Sequence, residues 1–249
     1  MLRSHAKKLA FFLLISPVAI AGSGQSKSYD SVAVLVLDRM SNVIGDMESC
    51  SFKLNSASDE IDPPYGLIKM FGEYEIYMSG PDKMLLNAHG HKGHREFIYD
   101  GHQLAYYSFD EHNYGIIPSP PTTIKTIDSV NKLYGIEFPA ADFFYPAFTD
   151  DLIENSDSIR YIGITTIDGK EYFHIMAFAK DVNFQLWITN DAYTLPFRFS
   201  IVYKHQEGNP QYLASFSDWN INPRLPASMF VFLPPPGASM IRIMSKNER

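Results

Sequence analysis

Hydrophobic positions along this chain follow two periods, and the change from one to the other divides it. Between residues 28 and 47 the spacing is helical: Val36, Met40, Val43, Ile44 and Met47 recur at i, i+3 and i+4, with Ser28 and Asp30 as N-cap candidates ahead of them. The run Val32-Ala33-Val34-Leu35-Val36-Leu37 is rich enough in β-branched residues to blur where that helix starts. From residue 49 onward the period falls to two. Strands are expected near 49–57, 67–78, 83–88, 95–99, 103–109 and 113–117, with Gly80-Pro81-Asp82 turning between the second and third. Residues 118–146 break this alternation. Pro118, Pro120 and Pro121 end the sheet pattern, Thr122 or Thr123 can cap a helix, and Ile124, Ile127, Val130 and Leu133 recur every third residue up to a Gly135 stop. Residues 139–144 add a further helical turn. Strands resume near 159–167, 170–179, 183–189, 196–204 and 211–219, and the chain closes with Phe230-Val231-Phe232, a proline-rich bend and an edge segment at Ile241 and Ile243.

Residues 95–107 carry the most information. Two apolar-rich runs flank Asp100-Gly101, a pair that tolerates positive φ and so predicts a two-residue type I′ hairpin. That register sets Tyr99 opposite His102, Phe97 opposite Leu104 and Arg95 opposite Tyr106. Phe97, Tyr99, Leu104 and Tyr106 then share one face of the sheet. Asp168-Gly169 predicts a second tight hairpin. A broad aromatic face of this kind has to be covered by helices or by a ligand, and the apolar stripe of the mid-chain insert is the obvious protein cover.

The first 21 residues read as an export signal. Arg3, Lys7 and Lys8 form a basic start, 9–15 is apolar, Ser16-Pro17 ends that run, and Ala19-Ile20-Ala21 fits small-x-small before a cut ahead of Gly22. The apolar run is shorter than the ~20 residues of a spanning helix, and no cysteine offers a lipidation position at the cut. The expected organisation is a cleaved signal, 1–21, and one domain, 22–249, released into the periplasm. Removing the signal leaves 18 basic against 28 acidic residues, a net charge of −10. That balance excludes nucleic acid and anionic membrane surfaces as natural partners. Cys50 is the single cysteine, so no internal disulfide is available and stability must come from a packed core.

Candidate chemistry is sparse. His89-Gly90-His91-Lys92-Gly93-His94 places three imidazoles in six residues, a spacing that could hold Zn²⁺ or Cu²⁺, but Gly90 and Gly93 mark a solvated hairpin loop, and that is the reading adopted. His102 and His174 read as polar-face residues. Trp187 and Trp219 can line a cavity or sit in the core. Asp59-Glu60 and Asp150-Asp151 are adjacent pairs, and adjacent side chains on a strand face opposite ways, which suits solvated charges better than acid–base partners. Cys50 reads as a small buried hydrophobe. There is no Gly-x-Ser-x-Gly elbow, no His-Glu-x-x-His and no phosphate-cradling glycine loop, so neither an enzyme nor a cofactor is expected.

Four stretches together resemble a family of predicted periplasmic proteins related to the LolA-like outer-membrane lipoprotein carriers. They are 95–107; Asn113-Tyr114-Gly115-Ile116-Ile117-Pro118 with the helix beyond it through Tyr134-Gly135-Ile136-Glu137-Phe138-Pro139-Ala140-Ala141-Asp142; Phe184-Gln185-Leu186-Trp187-Ile188 followed by Leu195-Pro196-Phe197-Arg198; and Ser217-Asp218-Trp219-Asn220 with Phe230-Val231-Phe232 and Pro235-Pro236-Gly237-Ala238. The resemblance spans roughly residues 30–243. It implies an α+β fold: a strongly curved antiparallel sheet of about eleven strands, a half-open, incomplete β-barrel, closed by the N-terminal helix and the mid-chain helical insert. It also implies that the concave side holds an apolar ligand, lipid or the acyl chains of a lipoprotein, against Phe97, Tyr99, Leu104, Tyr106, Leu186 and Trp187. The alternatives are an envelope sensor or adaptor that docks another protein without lipid cargo, and a degenerate hydrolase.

Overall fold

The computed structural model describes residues 27–248; the expected export signal lies outside them. Strand β1 (Ser28–Tyr29) leads into helix α1 (Ser31–Gly45). Strands β2 (Ser49–Asp62), β3 (Gly66–Ser79), β4 (Lys83–Gly90), β5 (Gly93–Tyr99), β6 (Gln103–Ser108) and β7 (Asn113–Pro118) follow. The insert comprises α2 (Thr123–Tyr134), a 3-10 turn (Ala141–Phe144) and α3 (Phe148–Asn155). Then come β8 (Ser158–Ile167), β9 (Lys170–Phe178), β10 (Val182–Thr189), β11 (Pro196–Tyr203) and β12 (Gln211–Ile221), a 3-10 turn (Ala227–Phe230) and β13 (Ser239–Met240). Among the described residues, thirteen strands form one sheet in the order β1-β8-β9-β10-β11-β12-β2-β3-β4-β5-β6-β7-β13.

The eleven long strands pair antiparallel throughout, as the alternation predicts. The two-residue strands β1 and β13 add to the ends in parallel, so the sheet is mixed and is not closed into a barrel. Laid flat, thirteen strands at ~4.8 Å spacing would be roughly 58 Å wide. Three helices of 15, 12 and 8 residues could not cover such a face. Curling the sheet around them solves the problem. One continuous apolar cluster joins Phe97 on β5, Ile76 on β3, Phe52 on β2, Phe216 on β12, Phe199 on β11 and Leu186 on β10 to helix residues such as Leu37 and Val130.

Topology explains why the cover sits where it does. β7 lies next to one end of the sheet and β8 next to the other. The chain between them therefore has to cross from edge to edge, and residues 119–157 do so over the inner face, burying Val130, Phe138, Phe143, Phe148 and Leu152. Helix α1 enters from the β8 side. Asp30 Oδ1 accepts from the Val32 N–H at 2.8 Å, while the Asp30 N–H donates to the Ile159 carbonyl at 2.9 Å. One residue thus caps the helix and fixes it to the edge strand.

Three local expectations change. The β5–β6 connection is not a two-residue turn: Tyr99 pairs with Leu104, Phe97 with Tyr106 and Arg95 with Ser108. Asp100 Oδ1 accepts from the His102 and Gln103 N–H groups, both at 2.9 Å. This Asx turn leaves Gly101 alone at positive φ (+95°), so a type I′ turn, which needs both central residues there, does not form. The register moves by two residues, which preserves parity, and the four aromatic and aliphatic side chains still share a face. Asp168-Gly169 does form the tight turn, with φ of 49° and 75° and Ile167 opposite Lys170. In α2 the buried positions are Thr123, Thr126, Ile127 and Val130, whereas Leu133 is exposed. A strict spacing of three drifts around a 3.6-residue helix, and Leu133 falls off the buried stripe. Helix α3 has no counterpart among the expected elements, because eight residues give too few repeats to show a period.

The C-terminal segment packs on the outer face and then folds around the edge. Phe232 packs on Tyr107 and Tyr114, with ring centres 6.2 and 5.4 Å apart, and His112 Nε2 lies 3.2 Å from the Pro236 carbonyl. β13 then pairs with β7, and close to the end of the chain Lys246 Nζ donates to the Asn131 carbonyl of α2 at 2.6 Å.

Replacing Asp30 by Ala should lower stability by about 0.5–2 kcal/mol in denaturant unfolding, because the first turn of α1 loses its side-chain acceptor; Asp30→Ser should restore most of it. No loss in the Ala variant would show that the anchor to Ile159 alone holds the helix start.

Candidate functional site beneath the helical insert

The inner faces of β5 and β6 meet the insert directly. Tyr99 and Leu104 are fully buried and Phe97 nearly so. The Phe97 ring lies 5.4 Å from Tyr106 and 5.5 Å from Phe138 of the insert. Tyr99 Oη donates to the Pro120 carbonyl, and Thr126 Oγ1 donates to the same oxygen at 3.0 Å. One carbonyl at the start of the insert therefore collects a donor from the sheet and one from α2. Leu186 is fully buried on β10 and belongs to the same cluster.

Trp187 does not join them. Consecutive strand residues face opposite sides, so with Leu186 inside, Trp187 lies on the outer face. There it stacks on His174, 4.5 Å between ring centres, and His174 Nε2 lies 3.1 Å from Gln185 Oε1. Burial lowers the His174 pKa, and the Gln185 contact only partly opposes this. Trp219 is half-buried against the core: its ring sits 4.4 Å from Phe52 and its Nε1–H donates to the Pro196 carbonyl at 3.1 Å.

The insert supplies aromatic contacts that the hydrophobic pattern did not assign. Phe143 packs against Phe148, Phe199 and Phe216 at 4.9–5.3 Å, and Phe144 stacks on Phe52 at 5.6 Å. The signal was the aromatic density of Phe138, Phe143, Phe144, Tyr145 and Phe148 within eleven residues. A fissure of about 70 Å³ lies between the end of α1 and the adjoining ends of β2 and β3, lined by Ile44, Met47, Cys50 and Met78, with Phe144 of the insert on one side. Burial pushes the Cys50 thiol up to about 12, so it is a packing group and not a nucleophile.

Acidic groups gather within the insert. Burial raises the Asp142 carboxyl to about 6, and nearby Asp128 and Asp151 add to the shift. Tyr145 Oη donates to Asp128 Oδ1, and its pKa is raised by burial and by that contact. The Tyr203 hydroxyl is raised to about 12 by burial, with Glu137 and Asp142 contributing. These side chains are half-buried, and no metal-binding group of three or more His, Cys, Asp or Glu residues forms among the described residues. In the histidine loop each ring has its own neighbour: His94 Nε2 sits 3.0 Å from Asn87 Oδ1 with its ring stacked on Phe109, His89 meets His94 edge-on, and His91 Nε2 lies 3.2 Å from Glu60 Oε1.

Fold and site together define a half-open sheet protein whose inner face is closed by a helical cover joining its two edges. The chain belongs to the family described as "Predicted periplasmic protein (DUF2092)", whose profile matches residues 33–244. No curated protein matches it. Among solved structures, an uncharacterized conserved protein from Thermus thermophilus is 12% identical, covers 85% of this chain and 99% of its own, and has a TM-score of 0.49. The Mycobacterium tuberculosis lipoprotein LppX is 12% identical with 77% and 96% covered and a TM-score of 0.45. A LolA superfamily protein from Nitrosomonas europaea is 10% identical with 80% and 97% covered and a TM-score of 0.32. Among the described residues no helix is long and apolar enough to cross a membrane.

The raised Asp142 pKa has a consequence for pH. The folded value of about 6 exceeds the ordinary 3.8, so folding favours the protonated acid. The penalty is absent below about pH 4, grows between pH 4 and 6, and is complete above. That gap corresponds to about 3 kcal/mol at most. Asp142→Asn should therefore raise the melting temperature at pH 7.5 and leave it nearly unchanged at pH 4; equal effects at both values would show that the carboxyl ionises freely.

Proposed function

We propose that this is a periplasmic binding protein, not an enzyme, that takes an apolar ligand between the inner face of its sheet and the helical insert. The ligand class is lipid, free or as the acyl chains of a modified protein. Phe97, Tyr99, Leu104, Tyr106 and Leu186 form the wall. The observation that carries this reading is the path of the insert: residues 119–157 cross the open mouth of the sheet, tethered at β7 and β8. With Phe97, Tyr99, Leu104 and Leu186 already buried beneath the cover, loading requires the insert to lift from the inner face. The raised Asp142 pKa favours such a motion at neutral pH, since the ionised carboxylate regains water when the cover opens. Cleavage after Ala21 would release the chain into the periplasm.

A second reading, an envelope adaptor that docks another protein without lipid, is favoured by the filled inner face: with Tyr99, Leu104 and Leu186 already buried by protein, the cover needs no cargo.

A cross-link separates the two. Ser41 Oγ of α1 and Thr149 Oγ1 of α3 lie 3.1 Å apart, close enough for a disulfide after replacing both by Cys in a Cys50→Ala background. The binding reading expects a fluorescent fatty acid to bind the reduced form and not the oxidised one. Equal binding by both forms would refute the cover, and no binding by either, with no lipid retained on native purification, would leave the adaptor.

A further inference from the structure

Among the described residues several stretches of strand lack a neighbour on one side, and they differ in how they are protected. At one end, β13 and the Ile241 N–H, which donates to the Tyr114 carbonyl at 2.7 Å, cover β7. At the other, β8 is covered by β1 at Ser158 and Ile159, and a bulge between Tyr161 and Gly163, with Gly163 at φ +126°, interrupts the edge before it resumes regular pairing with β9 to Ile167. A bulge of this kind discourages strand addition. A further edge lies inside the sheet order. β2 and β3 pair over their whole length, to Asp62 and Gly66, whereas β4 pairs with β3 only from Gly72 onward. The β2–β3 ribbon therefore projects past the end of β4, and β3 residues 66–71 have no strand neighbour on that side.

This edge is open and regular. The Phe71 carbonyl points to the β4 side, where a Cβ on Gly90 would come within 2.6 Å of it. His91 Nδ1 approaches the same carbonyl at 3.5 Å, a long contact that an incoming strand would replace. Backbone groups of alternate residues point the same way along a strand, so Leu67 and Lys69 present their N–H and C=O groups there as well. A cleft of about 360 Å³, lined by residues 69–73 and 89–91, occupies the place where β4 would continue. The ribbon also carries exposed apolar side chains: Phe71 (64% exposed), Tyr65 (81%), Ile61 and Leu67.

We propose that β3 residues 67–71 take an extended segment of another protein, adding it as a strand in line with β4. The segment's chemistry follows from the rim. Around the rim stand four carboxylates, Asp59, Glu60, Asp62 and Glu73, against Lys69, which Asp59 pairs at 2.5 Å, Lys92 in the β4–β5 turn and His91, whose Nε2 lies 3.2 Å from Glu60, so the acidic charge is in excess. A segment alternating apolar and basic residues complements both the edge and this charge. A second copy of the chain fits less well. Each copy would bring the same acidic rim, and about five residues of edge bury far less than the ~1,200 Å² of a stable interface. A linear segment needs no more than this, because main-chain hydrogen bonds supply the attraction and alternate side chains the selectivity. The site is independent of any ligand beneath the insert.

The test uses the peptide Ac-KVKIKVK-amide, fluorescently labelled, and anisotropy with the intact protein. Micromolar binding that weakens with salt is expected. A version N-methylated at alternate residues should fail. Leu67→Pro should weaken binding about tenfold or more with the melting temperature unchanged, since its N–H faces away from β2. Ile164→Pro, on the β8 edge, should have no effect on binding. Absence of binding at millimolar peptide, equal binding by the N-methylated peptide or by Leu67→Pro, or self-association in sedimentation that Leu67→Pro abolishes while the peptide stays unbound, would each overturn the proposal.

Discussion

An apolar sheet face must be hidden from water, and this requirement governs the molecule. Eleven antiparallel strands with alternating inner side chains create one long greasy surface, from Phe97 on β5 through Phe52 on β2 to Leu186 on β10. A single helix cannot cover it. The sheet curls, and the insert between β7 and β8 spans what remains open, because the strands it connects stand at opposite ends. The apolar stripe of α1, the aromatic run from Phe138 to Phe148 and the inward alternation of the strands are parts of one solution.

The two sides of the sheet have different work. The inner side is sealed by a cover in which burial and the neighbouring Asp128 and Asp151 raise the Asp142 pKa. The outer side is polar and aromatic, with Trp187 stacked on His174 and the C-terminal segment packed over Tyr107 and Tyr114. The same C-terminal segment reaches α2 through Lys246, so it ties one end of the cover to the sheet edge. The other end, α3, is held to α1 through Ser41 and Thr149.

Much of this was legible before the structure. The period-two runs placed all eleven long strands, and the family resemblance named the group to which the chain belongs. What escaped has physical causes. The β5–β6 register depended on a side chain, Asp100, competing for backbone donors, and a turn motif does not reveal that competition. Helix α3 was too short to display a period. β1 and β13 are two residues long and parallel, paired only because tertiary contacts bring them to the edges. Trp187 was grouped with Leu186 although neighbours on a strand cannot share a face. The aromatic residues of the insert were visible as composition, but their contacts with Phe52, Phe199 and Phe216 required the crossing path of the chain.

The central claim is that the insert is a cover that opens while the sheet stays folded. Native-state hydrogen exchange tests it most directly. The amides of α2 and α3 should exchange through an opening of lower free energy than those of β5, β6 and β10, and the difference should narrow when pH falls below that of Asp142 ionisation. If insert and sheet amides instead exchange together, in one event at the global unfolding free energy at every pH, the insert is a fixed part of the core and the account of a ligand beneath it fails.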